Sequence, residues 1–282
     1  MSDPEQTRRV PPVAAARGRP AKVTLVGAGP GDPELLTLKA ARALAAASIV
    51  LYDHLVSKDV LALVPPGADL VYVGKESAKH TLPQEDISAL MIRLARSGRP
   101  VLRLKGGDPY TFGRGGEEAQ ALAAAGIAFE VVPGISAAQG AAAAAGIPLT
   151  HRDHASCVTW VTGHCRAGAQ ELVGLDWPSL VHPRQTLVVY MGLASLPMLS
   201  AQLIHHGMDP GTPAALIERA TLPEQRTLIG TVQNLPSVAR DHGVTAPALI
   251  VIGSVVDLHA QLGAAIGLVP VDVVDDAQLA LA

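Results

Sequence analysis

Three glycine-bearing segments follow apolar runs in the first half of the chain: GAGPGD (residues 27–32) after KVTLV, KGGDPYTFGRGGEE (105–118) after VLRL, and PGISAAQG (133–140) after FEVV. Glycine there lets a ligand or another segment approach the backbone closely. In open α/β sheets, ligands lie beyond the carboxyl ends of the strands, so the three turns can face one crevice. The first invites a dinucleotide reading, but that fingerprint needs glycines at places occupied here by Gly27, Gly29 and Asp32, and the last fails. Pro30 removes an N–H, while Asp32 and Glu34 put carboxylates where a phosphate would sit. The second turn lacks the G-K-[ST] ending of a P-loop, and Glu117 and Glu118 make its helix start hostile to anions. A nucleoside with a cationic sulfonium, accepted by Asp108 and backbone groups, fits better than a nucleotide polyphosphate. The residues alone also permit ordinary tight turns, with Asp32 as a helix N-cap and Pro33 in the first turn.

The elements that must carry these turns alternate. Short β-branched runs such as KVTLVG, SIVLYD, DLVYVGK, PVLRLK and AFEVV are separated by Ala/Leu-rich stretches, the pattern of a mainly parallel sheet covered by helices. PELLTLKAARALAAA predicts a helix with Leu35, Leu38, Ala41 and Leu44 on its apolar face. After residues 133–134 the strands CVTWVTGH, QTLVVYMG, TPAALIE, QRTLIGT and PALIVIG come closer together with fewer crossovers, which predicts a mixed sheet. The expected organisation is an N-terminal arm (1–21), two α/β domains (22–133 and 134–262) and a C-terminal tail (263–282).

Composition narrows the function classes. Basic and acidic side chains nearly cancel at 22 against 25, and aromatics are 3%, so neither a phosphate-binding field nor a base-stacking platform for nucleic acid is advertised. The start has no charged segment followed by an apolar one, and no apolar stretch is long enough to span a membrane, so a cytoplasmic protein is expected. His151, His154, Cys157, His164 and Cys165 cluster in sequence, but their spacing matches no usual zinc motif and CVTWVTG reads as a strand between them. No metal is expected.

GAGPGDPELLTLKA, LVYVGK, LPQEDI, RLKGGDPYTFGRGGEE, VVPGISAAQGAAAAAGIPLTHRD, VTGH, VVYMG and PALIVIG stand in this order. Together, from about residue 22 to 258, they resemble the tetrapyrrole methylase family. LPQEDI with GIPLTHRD resembles in particular its uroporphyrinogen-III C-methyltransferases, which use S-adenosylmethionine. The resemblance implies two α/β domains with the active site in the cleft between them, and a homodimer. It implies S-adenosylmethionine contacts at Pro30, at Gly106, Gly107, Asp108 and Thr111, at Ser136 and Ala137, and at Met191 and Ala220. It further implies Asp53 as proton acceptor and Lys75 as proton donor. The implied reaction methylates ring carbons C2 and C7 of uroporphyrinogen III, giving precorrin-2 through precorrin-1 for sirohaem or cobalamin synthesis, with S-adenosylhomocysteine as the other product. No further dinucleotide-binding module is recognised, so the reaction is expected to stop at the dimethylated product.

The substrate that the resemblance implies carries eight carboxylates, so it needs basic groups. Arg103, Lys105, Arg114, Arg152 and His80 lie in or beside the motif turns; arginine suits bidentate carboxylate capture, and Arg114 and Arg152 are the expected substrate clamps. Arg114 and Arg152 could instead pair with neighbouring Glu117 and Asp153. The chain departs from the family pattern at His54, where relatives carry arginine, at Ser136, where they carry threonine, and at Thr111, where they carry an apolar residue. A histidine that changes charge near neutrality predicts substrate affinity that depends on pH. Three rivals remain at this stage: a relative acting on a later corrinoid or on ribosomal RNA, a nicotinamide dehydrogenase, and a non-catalytic sensor of tetrapyrrole or adenosyl ligands.

Overall fold

The computed structural model describes residues 19–74, 84–164, 172 and 174–266. The chain forms two compact units that divide between Ser136 and Ala137. The first contains β1 (Val23–Gly27), α1 (Leu38–Ala45), β2 (Ile49–Tyr52), α2 (Lys58–Leu61), β3 (Asp69–Tyr72), α3 (Gln84–Arg96), β4 (Val101–Lys105), α4 (Gly115–Ala124) and β5 (Phe129–Val132). Its five strands lie in the order β3-β2-β4-β1-β5, every neighbouring pair parallel. The period of two decides which residue faces which layer. Val23, Leu25, Ile49, Leu51 and Val101 pack with Leu90, Met91 and Leu94 of α3 and Leu122 of α4. Val26, Val50, Leu102 and Leu104 turn to the other face, against Ala40 and Leu44 of α1 and Val60 of α2. The same alternation carries Arg103 and Lys105 onto the α3/α4 side, close to the carboxyl edge.

The helix expected directly after the first glycine turn is interrupted. A 3-10 turn covers Pro33–Leu35, Leu36 is extended, and α1 starts only at Leu38. The Thr37 hydroxyl takes the Ala40 N–H at 3.1 Å and so opens a new helix, while Asp32 caps the short turn by accepting the Glu34 N–H at 2.8 Å. Ala40 and Leu44 therefore form the buried stripe, and Leu38 is 76% exposed. Asp32 caps and Glu34 lies within a 3-10 turn rather than at an α-helix mouth, which removes the helix-dipole part of the argument against phosphate at this turn.

The second unit contains α5 (Ala137–Ala145), β6 (Cys157–Thr162), α6 (Trp177–Leu180), β7 (Gln185–Tyr190), α7 (Leu196–His205), β8 (Pro213–Glu218), β9 (Arg226–Thr231), α8 (Leu235–Asp241), β10 (Ala248–Ile252) and α9 (His259–Ala265). The strand order is β6-β7-β10-β8-β9. β6 and β7 are parallel and the remaining pairs antiparallel, the mixed sheet the strand spacing predicts. Both β7 and β8 run against β10, so they run parallel to each other and end at the same sheet edge. α9 continues to Ala265, past the point where the sequence suggests a tail. Gly146 and Gly263 meet so closely that a Cβ on Gly146 would lie 2.7 Å from the Gly263 nitrogen. Among the described residues no helix is long and apolar enough to cross a membrane.

Glu218, at the end of β8, is 2% exposed. It accepts from the Thr245 N–H at 2.8 Å, the Thr245 hydroxyl at 2.6 Å and Arg226 Nε at 2.6 Å. Burial acts to raise its pKa, but Thr245 and Arg226 outweigh burial and hold the carboxyl below its ordinary value. A carboxyl depressed by folding stabilises the fold above its unfolded-state pKa, and that contribution is lost as pH falls through the folded-state value. We expect Glu218→Gln to lower the unfolding free energy by about 1.5–3 kcal/mol at neutral pH. In urea unfolding, the gap from wild type should narrow as pH is lowered from about 5 to 3. A gap that stays constant over that range contradicts the assignment.

Candidate active site

All strands of the first sheet are parallel, so the three glycine turns and the segment after β2 emerge at one edge. The turns are locked to each other through backbone. Gly29 donates to Gly107 O at 3.2 Å, and Gly107 donates back to Gly29 O at 2.7 Å. A Cβ on Gly27 would lie 2.5 Å from Gly134 N, and one on Gly134 would lie 2.3 Å from Gly107 O, so the crossing has no room for a side chain. Gly107 also sits at φ +65°, where other residues are strained. Asp108 clamps the crossing. Its Oδ2 accepts the Gly134 N–H at 3.1 Å, and its Oδ1 accepts from Tyr110 N at 2.9 Å and Thr111 Oγ1 at 3.4 Å. The two readings of the glycines thus resolve in part: at Gly27 and Gly134 the close neighbour is another turn.

Asp53 follows β2 at this edge, its side chain 19% exposed. Oδ1 accepts from Leu55 N at 3.1 Å, and Oδ2 accepts from Arg103 Nη2 at 3.0 Å. The loop that carries Asp53 is tied to the first turn, since the Ser57 hydroxyl donates to Gly31 O at 2.6 Å. Pro30, Gly106, Gly107, Asp108, Thr111 and Ser136 therefore gather at the edge that holds Asp53. Phe112 and Arg114 carry φ of +52° and +59°, backbone strain of the kind that collects at functional sites.

Two expectations about charge are corrected here. Arg103, expected among the groups that bind substrate carboxylates, is 3% exposed, and Asp53, Glu118 and the carbonyls of Leu51 and Leu104 occupy its nitrogens, so it is not a free cation at the surface. Glu117 and Glu118 do not act together at the helix start. Glu117 is exposed and pairs with Arg114 Nε at 2.6 Å. Glu118 is fully buried beside Arg103 and Lys105, which neutralise it. Burial, and then the Arg103 charge, push the Lys105 pKa down, with Glu118 opposing. The sequence reading placed Glu118 at the helix start but missed that it is buried and paired. The spacing Gly115, Glu118, Ala119, Leu122 places it on the buried stripe of α4 and could have revealed it.

In the second unit the Tyr190 hydroxyl accepts the Ala138 N–H at 3.0 Å, which ties the start of α5, with Ala137, to the end of β7. Met191 follows at φ +54° and is 51% exposed, so it is not core filler. Ala220 lies two residues past the end of β8, between Arg219 and Thr221, which have φ of +48° and +68°. Arg152 is exposed, and its guanidinium has no partner among the described residues, while Asp153 lies 3.9 Å from His151. Cys157 is a free, exposed thiol. Lys75, His80 and Cys165 lie outside the described residues.

The turn crossing generates a test of stability. Gly134→Ala is expected to cost about 3 kcal/mol, because neither backbone neighbour can give way. Gly116→Ala, with nothing within 4 Å of the new methyl, should gain about 0.5–1 kcal/mol from better helix propensity. Equal effects of the two substitutions in thermal unfolding contradict the crossing.

The family model for tetrapyrrole (corrin/porphyrin) methylases matches residues 22–236. The chain is 54% identical over 251 residues to a sirohaem synthase of Methylococcus capsulatus, covering 88% of this chain and 52% of that protein. It is 53% identical over 258 residues to a sirohaem synthase of Chromobacterium violaceum, covering 92% of this chain and 54% of that one. The chain thus spans about half the length of these curated relatives. Among solved structures, a uroporphyrin III C-methyl transferase from Thermus thermophilus superposes with a TM-score of 0.71 at 42% identity, covering 84% of this chain and all of that one. A form of the Thermus thermophilus enzyme complexed with S-adenyl homocysteine gives 0.71 at 41% identity, covering 84% of this chain and 93% of that one. A cobalt precorrin-4 methyltransferase gives 0.73 at 30% identity, covering 84% and 96%. The matched model takes in all three glycine turns and Asp53, and the chain belongs to the tetrapyrrole methylase family.

Proposed function

We propose that this chain transfers two methyl groups from S-adenosylmethionine to C2 and C7 of uroporphyrinogen III, forming precorrin-2 through precorrin-1. The observation that carries the reading is the meeting, at one sheet edge, of the three motif turns with Asp53, in a chain similar over its matched length to a uroporphyrin III C-methyl transferase.

The chemistry asks little activation of the methyl donor, because a sulfonium is already a good leaving group. An electron pair of a pyrrole carbon forms the new C–C bond as the S–CH3 bond breaks and leaves S-adenosylhomocysteine. The ring is then cationic and must lose a proton, which Asp53, held by Arg103 and Leu55 N, is oriented to accept. Lys75 is assigned as proton donor by the family motif. Most of the acceleration comes from holding carbon, methyl and sulfur in line, an effect that can reach about 7 kcal/mol or more.

Pro30, Gly106, Gly107, Asp108, Thr111, Ser136, Ala137, Met191 and Ala220 are assigned to S-adenosylmethionine. Exposed Arg152, together with Arg114, is assigned to the substrate carboxylates, and Arg114 must exchange Glu117 for them. His80 is assigned to the same carboxylates from its motif position. We further infer a cytoplasmic homodimer with no metal requirement and with domains at 22–133 and 134–262, readings supported by the family resemblance.

The test is anaerobic incubation with S-adenosylmethionine and enzymatically made uroporphyrinogen III, with methyl groups counted by mass. Two added methyls are expected, and Asp53→Asn should lower kcat by about 100-fold or more. No methyl added to uroporphyrinogen III, with turnover of a later corrinoid instead, would assign the chain to another reaction of the family.

A further inference from the structure

Beneath Asp53 the apolar α3/α4 face gives way to a buried charge cluster. Glu118 Oε1 receives Lys105 Nζ at 3.0 Å, Gln84 Nε2 at 3.0 Å and Arg103 Nε at 3.3 Å, while Oε2 has no partner among the described residues. The Glu118 side chain is 0% exposed, and those of Arg103 and Lys105 are each 4% exposed. Arg103 spans the cluster. Its Nε edge faces Glu118, Nη1 donates to Leu104 O at 2.8 Å and to Leu51 O at 3.4 Å, and Nη2 reaches Asp53 Oδ2 at 3.0 Å.

A guanidinium is planar, so fixing one edge fixes the direction of the other. The two carbonyls set its position along β4, and Glu118 sets its rotation. The charges of Asp53, Glu118, Arg103 and Lys105 also cancel, which is what a buried group of ions requires. A neutral residue at position 118 would leave the buried cations short of one counter-charge, so the carboxylate serves the fold as well as the orientation of Arg103. We propose that Glu118 is a positioning residue for methyl transfer, acting through Arg103 to hold Asp53 in the orientation that accepts the ring proton. The proposal rests on the reading of Asp53 given above. Glu118 touches no reactant. Its effect is confined to the step Asp53 serves, and binding of the methyl donor is left intact.

The experiment is a double-substitution cycle of Glu118→Gln and Asp53→Asn in the full chain, read by single-turnover transfer of a tritiated methyl group so that slow residual rates remain measurable. Glu118→Gln keeps the size and the hydrogen-bonding oxygen but removes the charge that Arg103 and Lys105 share. Glu118→Gln alone is expected to lower the rate by about 10- to 100-fold, with the KM for S-adenosylmethionine changed by less than about twofold. In the Asp53→Asn background the same substitution should cost less than about twofold, because its route of action is gone.

A loss of the same size in both backgrounds shows that Glu118 serves only the fold and overturns the proposal, as does an unchanged rate for Glu118→Gln. An unchanged rate for Asp53→Asn alone is a different result: it overturns the reading of Asp53, and the positioning role with it. If Glu118→Gln yields no folded protein, as judged by its unfolding transition and S-adenosylhomocysteine binding, the charge-balanced variant Glu118→Gln/Lys105→Met takes its place with the same expected and overturning results.

Discussion

The contact among Gly27, Gly107 and Gly134 is the constraint on which the first unit's carboxyl edge depends. Strand ends in a parallel sheet ordinarily lead to independent loops. Here three of them cross at van der Waals distance with no side chain between them, and Asp108 fastens the crossing through the Gly134 N–H. Once those backbones are fixed, the exits of β1, β4 and β5 are fixed. The neighbouring loop follows, because Ser57 bonds to Gly31 and Leu55 packs over Gly106, where a Cβ would lie 2.6 Å from that of Leu55. Asp53 stands at the base of that loop.

The second determinant is electrostatic. A sheet face that is apolar at Val23, Ile49 and Val101 ends in Arg103 and Lys105, two cations that could not be buried there without anions. Glu118 from the first turn of α4 and Asp53 from the loop after β2 supply them. Removing either acid leaves a buried cation unbalanced, so the pattern is held by the fold as well as by any chemistry it serves. The second unit repeats the device on a smaller scale at Glu218, whose partners Thr245 and Arg226 keep it ionised in a buried position at the end of β8.

Much of this was legible from residue order. The alternation of β-branched runs and Ala/Leu-rich stretches marks the parallel first sheet, and the shorter intervals after residue 134 mark the mixed second one. The glycine turns were readable as a converging set. Whether each glycine faces a ligand or a neighbouring turn was not, because spacing along the chain does not say which backbone comes close. The break before α1 was missed because the apolar spacing from Leu35 to Leu44 continues through it, and the decisive element is a single hydroxyl, that of Thr37. Arg103 misled because an arginine beside a motif turn suggests a surface role. Counting by twos from Val101 places it on the inner face with Lys105, and counting by three and four from Gly115 places Glu118 opposite.

The central claim is that these crossed turns belong to a site for an adenosyl sulfonium compound and its thioether product rather than for a pyrophosphate. Titration calorimetry of the intact chain against S-adenosylhomocysteine and, separately, against NAD tests it most directly. The account expects saturable binding of S-adenosylhomocysteine at one site per chain and no heat from NAD. Saturable binding of NAD with indifference to S-adenosylhomocysteine would contradict it.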